Sequence, residues 1–214
     1  MYIIGITGST GSGKTTAMQA LQTFGALALD CDEIYHELLS SNPDMKEEIE
    51  ARFDNILTEG KIDRKKLGAI VWNEPVALKD LNEITHKFVS SELDHHIASF
   101  EAQGGNLAAI DAIALIESGQ SRRCDIVVGV LAPEEKRLSR IMKRDSLTAE
   151  LAQMRIDAQQ RDSFYRENCD HILENIYDTQ EKFENKCKEF FKEILMKNQE
   201  NSGKLTSKTI KQGE

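Results

Sequence analysis

The sequence predicts an α/β protein with three layers, in which helices cover both faces of a parallel sheet. Short apolar runs alternate along the chain with segments whose apolar residues recur at helical spacing, a pattern typical of parallel strands joined by helices. A glycine-rich segment joins the first run to the first helix. A long helical block follows the second run and is too large for a simple crossover, so we expect a helical subdomain near the carboxyl ends of the strands.

The apolar runs predict the strands in order. They cover residues 2–7, 26–29, 107–110, 126–131 and 171–173. Helical spacing, with Pro133 suited to a first helical position and Thr148 to a cap, predicts the helices. These cover residues 14–24, 32–53 with a second piece after Pro43, 63–72, 74–102, 133–143, 149–161 and 179–197.

This order predicts one domain over residues 1–197. Its core comprises residues 1–31 and 104–197, with a helical substrate-binding insertion at about 32–103 and a helical lid at about 136–165. From Asn198 the chain has almost no large apolar residues. We therefore expect residues 198–214 to be a disordered tail.

Residues 8–15 read Gly-Ser-Thr-Gly-Ser-Gly-Lys-Thr, which fits the pattern G-x-x-x-x-G-K-[ST] between a strand and a helix. Glycines allow the backbone to aim N–H groups at phosphate oxygens, Lys14 reaches the β- and γ-phosphates, and the Thr15 hydroxyl is suited to Mg²⁺. The motif therefore predicts a P-loop NTPase-type α/β fold that binds a nucleoside triphosphate with Mg²⁺. The residues predicted to bind the nucleotide here are Gly11, Ser12, Gly13, Lys14, Thr15 and Thr16.

Composition excludes several other classes. The net charge of −9 argues against a nucleic-acid partner, and no apolar stretch approaches the roughly 20 residues of a membrane span. The N-terminus lacks the basic region of a signal peptide, so we expect a cytoplasmic protein without a membrane partner. The four cysteines are far apart in sequence, which favours reduced thiols over a zinc site. The oligomeric state is left open.

Acidic residues follow two of the predicted strands. Asp30 and Asp32 come after the second strand; one can act on an acceptor hydroxyl while the other caps the next helix, or both can cap. We favour Asp32 as the residue that faces the acceptor. Asp111 ends the third strand in the position of a carboxylate that holds Mg²⁺, although an Asp there can also merely cap. Glu117 is a weaker acidic candidate.

Three arginines share one face of the helix after Pro133, because Arg137, Arg140 and Arg144 are three and seven residues apart. The face is either solvated and basic, as the helix dipole favours near a C-terminus, or part of a lid whose arginines neutralise a transferring phosphoryl group. His86 is a lone histidine in the long helical block, and a lone histidine is most often a packed or surface residue.

Eight motifs occur in order along the chain: Ile6-Thr7-Gly8 with the glycine-rich segment, Asp30-x-Asp32, Gly60-x-Ile62-Asp63-Arg64-x-x-Leu67, Leu81-Asn82-x-Ile84-x-His86, Asp111 to Glu117, Arg140-x-x-x-Arg144-Asp145, Arg155-Ile156-x-x-Gln159 and Asp170-x-x-Leu173-x-Asn175. Through these motifs the chain resembles the dephospho-coenzyme A kinases over residues 1 to about 195. It departs from the family's usual sequence at Lys87, where a proline is common, and over residues 113–117, where Pro-Leu-Leu-Phe-Glu is common.

The resemblance implies transfer of the ATP γ-phosphate to the ribose 3′-hydroxyl of dephospho-coenzyme A. It implies catalytic roles for Asp32, Lys14 and Arg140, and places Asn175 near the adenine of ATP. Arg140 and Arg144 would bind the nucleotide from the lid, and Thr15 and Asp111 would hold the metal. The residues expected to bind the acceptor are Thr7, Asp32, Arg64, His86 and Asp111.

Two other functions use the same glycine-rich segment. A different small-metabolite kinase, acting on a nucleoside or nucleotide, would need the same loop, Asp32 and a lid. A GTPase-type switch should offer an Asn-Lys-x-Asp guanine reader, and the nearest match, Asn185-Lys186-Cys187-Lys188, lacks the acid. We therefore expect a kinase.

Overall fold

The elements follow the predicted alternation closely. The structure, a computed structural model, describes residues 1–210, and for Asn73 and residues 201–210 it describes the backbone only. Within these residues the strands are β1 (Tyr2–Thr7), β2 (Leu27–Asp30), β3 (Leu57–Thr58), β4 (Lys61–Ile62), β5 (Leu107–Asp111), β6 (Ile126–Leu131) and β7 (His171–Glu174). The α-helices are α1 (Lys14–Gln22), α2 (Cys31–Ser41), α3 (Pro43–Arg52), α4 (Arg64–Asn73), α5 (Pro75–Ala102), α6 (Glu134–Asp145), α7 (Ala149–Asp157), α8 (Asp162–Asn168) and α9 (Gln180–Ile210).

The chain divides into two units. The first unit comprises Met1–Thr7 and Leu27–Val127, and the second comprises Gly8–Ala26 and Val128–Glu214. The earlier division into core, insertion and lid stays a prediction.

In the first unit, β5 lies between β2 and β1 in parallel pairing. All five residues of β5 are buried, as expected for a strand with neighbours on both sides. The register places Asp111 opposite both Ile6 and Asp30. The carboxyl ends of these strands therefore bring acidic side chains to one edge.

The helical block of the first unit is built around α5. Helices α2, α3 and α4 all contact it, and the buried side chains that fill this block include Leu38, Met45, Ile49, Leu67 and Leu93. The predicted helix over 32–53 is divided because the Asn42 side chain accepts a hydrogen bond from the Met45 N–H at 2.9 Å and Pro43 begins α3.

In the second unit, β6 and β7 pair in parallel, from Val128 opposite His171 to Leu131 opposite Glu174. Helix α1 packs along α9, and α6 packs on α7 through Ile141, Ala152 and Ile156. The Thr148 side chain accepts from the Leu151 N–H, which confirms the predicted cap of α7.

The predicted α/β class is confirmed, and three details differ. The chain turns at Glu59 and Gly60 between the short antiparallel strands β3 and β4, and the sequence analysis missed these two strands. The predicted helix over 149–161 ends at Asp157, and the sequence analysis missed α8. Helix α9 continues to Ile210, past the predicted start of disorder at Asn198. Extending a helix already formed by packed residues costs little, so a polar segment can prolong it; residues 211–214 lie outside the described part.

The long helices α5 and α9 contain 28 and 31 residues. Even so, within residues 1–210 no helix combines the length and the apolar character needed to cross a membrane. Both are amphipathic, with buried residues such as Leu93 and Phe191 on one side and charged residues elsewhere.

Candidate functional site

The glycine-rich segment of residues 8–15, called the phosphate loop below, has a main chain that only glycine adopts readily. Gly8, Gly11 and Gly13 have φ values of 133°, 80° and 113°. A Cβ atom on Gly8 would lie 2.2 Å from the Val130 carbonyl oxygen, and one on Gly13 would lie 2.6 Å from Asn175 Nδ2. Backbone strain and lack of space therefore both exclude a larger residue at Gly8 and Gly13.

The loop leads directly into α1, whose first turn carries no side-chain cap within the described residues. The N–H groups of an uncapped first turn, together with the positive end of the helix dipole, form a site suited to phosphate. Lys14 Nζ donates to the Gly8 carbonyl oxygen at 3.0 Å, so its ammonium group lies across the loop. Thr15 is exposed at the second position of α1, whereas Thr16 is buried.

Arg140 and Asn175 tie the middle of the phosphate loop to the rest of the second unit. Arg140 donates from Nη1 to the Gly11 carbonyl at 2.9 Å and from Nη2 to Asn175 Oδ1 at 3.3 Å. The buried Asn175 donates from Nδ2 to the Ser12 carbonyl at 2.8 Å. Burial lowers the pKa of Arg140, yet the group stays charged at neutral pH.

Thr10, at the tip of the loop, is held by two residues for which the sequence gave little signal. Gln159 accepts from the Thr10 N–H at 2.9 Å and donates to the Thr10 hydroxyl at 2.6 Å. Arg137, buried, donates from Nε to the Thr10 carbonyl at 3.2 Å. Gln159 belongs to a motif of the family resemblance, but the sequence analysis assigned that motif no chemical role. Helical spacing placed Arg137 on the same helix face as Arg140.

Arg144 has a different environment from Arg140. It is exposed and donates from Nε and Nη2 to the two carboxylate oxygens of Asp145, at 2.8 and 3.0 Å. These hydrogen bonds raise the pKa of Arg144 and lower that of Asp145. The structure thus brings Arg137 and Arg140 to the phosphate loop and pairs Arg144 with its neighbour in sequence.

In the first unit, the two aspartates after β2 are in different environments. Asp30 Oδ1 accepts from the N–H groups of Asp32 and Glu33 at 2.8 and 3.2 Å, so Asp30 caps α2. Asp32 is exposed at the second residue of α2 and lines a cavity. Asp30 therefore caps the helix, as the sequence analysis allowed for one or both residues, and the role of Asp32 stays a prediction.

The cavity beside Asp32, called the acceptor cavity below, has a volume of about 300 Å³. Helix α5 forms one wall with residues three and four positions apart, which share one helix face. These residues are Leu81, Asn82, Thr85, His86 and Val89. Burial lowers the pKa of His86 below its ordinary value of 6.5, which favours the neutral imidazole.

Cys31, which lies between Asp30 and Asp32 in the sequence, also lines the acceptor cavity. Burial, with smaller contributions from the negative charges of Asp111, Asp30 and Asp32, raises the pKa of its thiol to about 12. A thiol of this kind stays protonated at neutral pH and is a poor nucleophile and a poor metal ligand.

Three other residues expected to bind acceptor or metal lie elsewhere in the first unit. Thr7 is buried and donates from its hydroxyl to the Ile113 carbonyl at 3.0 Å. Arg64 lies 3.1 Å from His36 Nε2 and lines a second groove of about 420 Å³ with Lys46 and Lys61. Asp111 is buried at the end of β5. Glu117 is exposed.

The comparisons with known proteins agree with this geometry. The family model for dephospho-CoA kinase matches residues 2–181. The chain belongs to the dephospho-CoA kinase family. A dephospho-CoA kinase from Latilactobacillus sakei is 32% identical over 175 residues, which are 81% of this chain and 87% of that protein.

Solved structures agree with the family and the fold. A dephospho-CoA kinase from Campylobacter jejuni is 29% identical, covers 92% of this chain and 98% of its own, and has a TM-score of 0.66. A shikimate kinase from Bacteroides thetaiotaomicron, 15% identical with a TM-score of 0.55 over 91% of this chain and 98% of its own, supports the fold alone. The predicted P-loop kinase fold is confirmed.

Membership of the dephospho-CoA kinase family makes the chain a kinase, a transferase of phosphoryl groups with ATP as donor. The matched residues include the phosphate loop, Asp32, Arg140 and Asn175. The roles of the individual residues stay predictions, and the geometry described above supports them unequally.

Proposed function

We propose that the chain transfers the γ-phosphoryl group of ATP to the ribose 3′-hydroxyl of dephospho-CoA, which gives CoA and ADP. The observation that carries the proposal is the match of the dephospho-CoA kinase family model to residues 2–181. Two features of the geometry support it. Helix α1 follows the phosphate loop and has no side-chain cap among the described residues, and the Asp32 carboxylate lines the acceptor cavity.

The donor end is the phosphate loop of the second unit. Main-chain N–H groups of the phosphate loop bind the β- and γ-phosphates, and Lys14 exchanges its bond to the Gly8 carbonyl for phosphate oxygens. Arg140 stabilises the charge that spreads over the transferring group. Asn175 stands near the adenine of ATP in this proposal, and Arg144 contributes from the predicted lid.

Mg²⁺ fits the oxygen donors of this chain. Within the part of the chain that the structure describes, no three His, Cys, Asp or Glu residues form a group that could hold a metal ion. Mg²⁺ takes one or two protein oxygens and otherwise binds substrate phosphates and water, and the Thr15 hydroxyl and the Asp111 carboxylate are oxygens of this kind. Thr15 and Asp111 would hold it, and bound Mg²⁺ supplies charge neutralisation on the phosphates.

The acceptor end is the cavity beside Asp32. The Asp32 carboxylate orients the 3′-hydroxyl and accepts its proton as the new O–P bond forms. The bond between the γ-phosphorus and the oxygen that bridges it to the β-phosphate breaks, and ADP leaves. His86 contacts the acceptor from α5 in this proposal, Arg64 binds a negative group of it, and Thr7 orders the end of β1 through Ile113.

The test is ADP formation with dephospho-CoA as acceptor, followed by location of the new phosphate by ³¹P and ¹H NMR. Asp32→Asn should lower turnover by about 10²–10⁴-fold, the usual contribution of a positioned general base, while calorimetry finds ATP affinity unchanged. Glu33→Gln, one residue further along α2, is the matched control and should retain activity. Turnover with a nucleoside but none with dephospho-CoA would replace the proposal by the other small-metabolite kinase.

A preference for GTP in the same titration would contradict the assignment of ATP. A cytoplasmic location and the absence of a nucleic-acid partner stay predictions from the sequence.

A further inference from the structure

Gln120 is a buried polar residue with no role in the proposed reaction. It begins the 3₁₀ helix Gln120–Arg123 and is 6% exposed. In the described part of the chain its Oε1 atom is shielded from solvent and has no hydrogen-bond partner. Because buried side-chain acceptors are almost always paired, this one calls for an explanation.

The position of Gln120 supplies one, since its side chain lines the acceptor cavity together with Asp32. The rest of the wall mixes apolar residues such as Leu81 and Ile113 with polar residues such as Asn82. A partly open cavity of apolar side chains with a small number of placed polar groups is typical of a small-molecule site. The space of about 300 Å³ suits a flat heteroaromatic ring with its sugar.

The proposed acceptor carries a heteroaromatic ring that would lie in the acceptor cavity. If Asp32 faces the ribose 3′-hydroxyl, then the base attached to the same ribose lies within one nucleoside of Asp32. A carboxamide presents one acceptor and two donors side by side, and this pattern matches an adenine edge, which has an amino donor beside a ring-nitrogen acceptor.

We infer that Gln120 recognises the adenine of the acceptor nucleoside: its side-chain amide turns toward the cavity, so that Oε1, shielded in this structure, accepts from the exocyclic amine and Nε2 donates to a ring nitrogen. The inference rests on the proposed function and names the specificity residue of its acceptor cavity. Binding of the base would satisfy the buried oxygen, so the cavity should select adenine over a base without the amine.

The experiment compares dephospho-CoA with its deamino analogue, in which hypoxanthine replaces adenine. The wild-type chain should favour the adenine acceptor by about tenfold or more in kcat/KM, as expected for a bidentate amide contact. Gln120→Met, similar in length and apolar, should bring the two acceptors to within about threefold by weakening the adenine acceptor. Gln103→Leu, at an exposed glutamine that follows α5, should keep the wild-type ratio.

Thermal unfolding provides a second readout. Replacing a buried unpaired acceptor by an apolar group of similar shape should leave the Tm unchanged or raise it, whereas a purely structural glutamine would lose stability. A wild-type ratio near one, a Gln120→Met ratio equal to wild type, or a lower Tm with an unchanged ratio would each overturn the inference. No transfer to dephospho-CoA by the wild-type chain would instead overturn the proposed function.

Discussion

The phosphate loop and the acceptor cavity are built by different means. The loop is main chain held in place from several sides: three glycines have positive φ, and Arg137, Arg140, Gln159 and Asn175 bond its carbonyls, amides or hydroxyl. The acceptor cavity is made of side chains from α2, α5 and the segment after β5.

This difference in construction predicts that substitutions in the phosphate loop and in the acceptor cavity have different effects. Any triphosphate offers the same oxygens, so a main-chain cradle can stay constant, whereas an acceptor is selected by the shape and polarity of side chains. Substitutions in the phosphate loop should therefore abolish nucleotide binding or turnover, whereas substitutions in the acceptor cavity should change which acceptor is preferred.

The largest effect should come from Arg140. Arg140→Ala removes the cation bonded to Gly11 and Asn175 and should lower kcat by about 10³-fold, as expected for an arginine that stabilises a transferring phosphoryl group. Arg144→Ala is the matched control on the same helix, and because Arg144 pairs with Asp145, its loss should stay below about tenfold. Steady-state ADP formation measures kcat for both variants. Equal losses of kcat would show that contact with the phosphate loop does not make Arg140 more important than Arg144.

A smaller effect is expected from the main chain itself. Gly13→Ala places a Cβ atom 2.6 Å from Asn175 Nδ2 at a φ of 113°, a strain of about 1–3 kcal/mol that should weaken ATP binding by roughly 10–100-fold. The matched control is Gly68→Ala in α4, where a Cβ atom meets nothing within 4 Å among the described residues; it should gain about 0.5–1 kcal/mol of stability. Calorimetry with ATP and thermal unfolding test the pair, and unchanged ATP affinity in Gly13→Ala would contradict a rigid cradle.

The smallest effect concerns His86 in the acceptor cavity. Because burial lowers its pKa in the folded chain, the unfolded chain binds the proton more readily. Its contribution to stability is complete above pH 6.5, the ordinary pKa, and is lost as the pH falls through the lower pKa of the folded state. His86→Gln should flatten the decline of the urea midpoint on acidification below pH 6.5, and His95→Gln, exposed on α5, should not. An identical decline in wild type and His86→Gln would contradict the burial.

The fold and the phosphate loop were predictable because local sequence encodes them. Apolar runs mark β1, β5 and β6, and the spacing of glycine, lysine and threonine specifies a main-chain path that few other sequences adopt. The hairpin of β3 and β4 and the helix α8 are short, so neither offers a periodic pattern long enough to detect.

The acceptor cavity was predictable only in part. Asp32 and His86 were expected to bind the acceptor, and both line it. Arg64 was also expected there, but it lines a different groove. Gln120 gave no signal in the sequence, and Gln159 gave only its place in a motif of the family resemblance, because their importance comes from tertiary burial and contact rather than from a local pattern.

The protonated thiol of Cys31 has a consequence for an enzyme whose acceptor and product both carry a sulfhydryl group. Disulfide exchange begins with a thiolate, and with a pKa of about 12 only roughly one Cys31 in 10⁵ is ionised at pH 7. We therefore expect oxidised forms of the acceptor or product to react slowly with Cys31. The residue should stay reduced even if molecules able to form a mixed disulfide with it bind in the acceptor cavity.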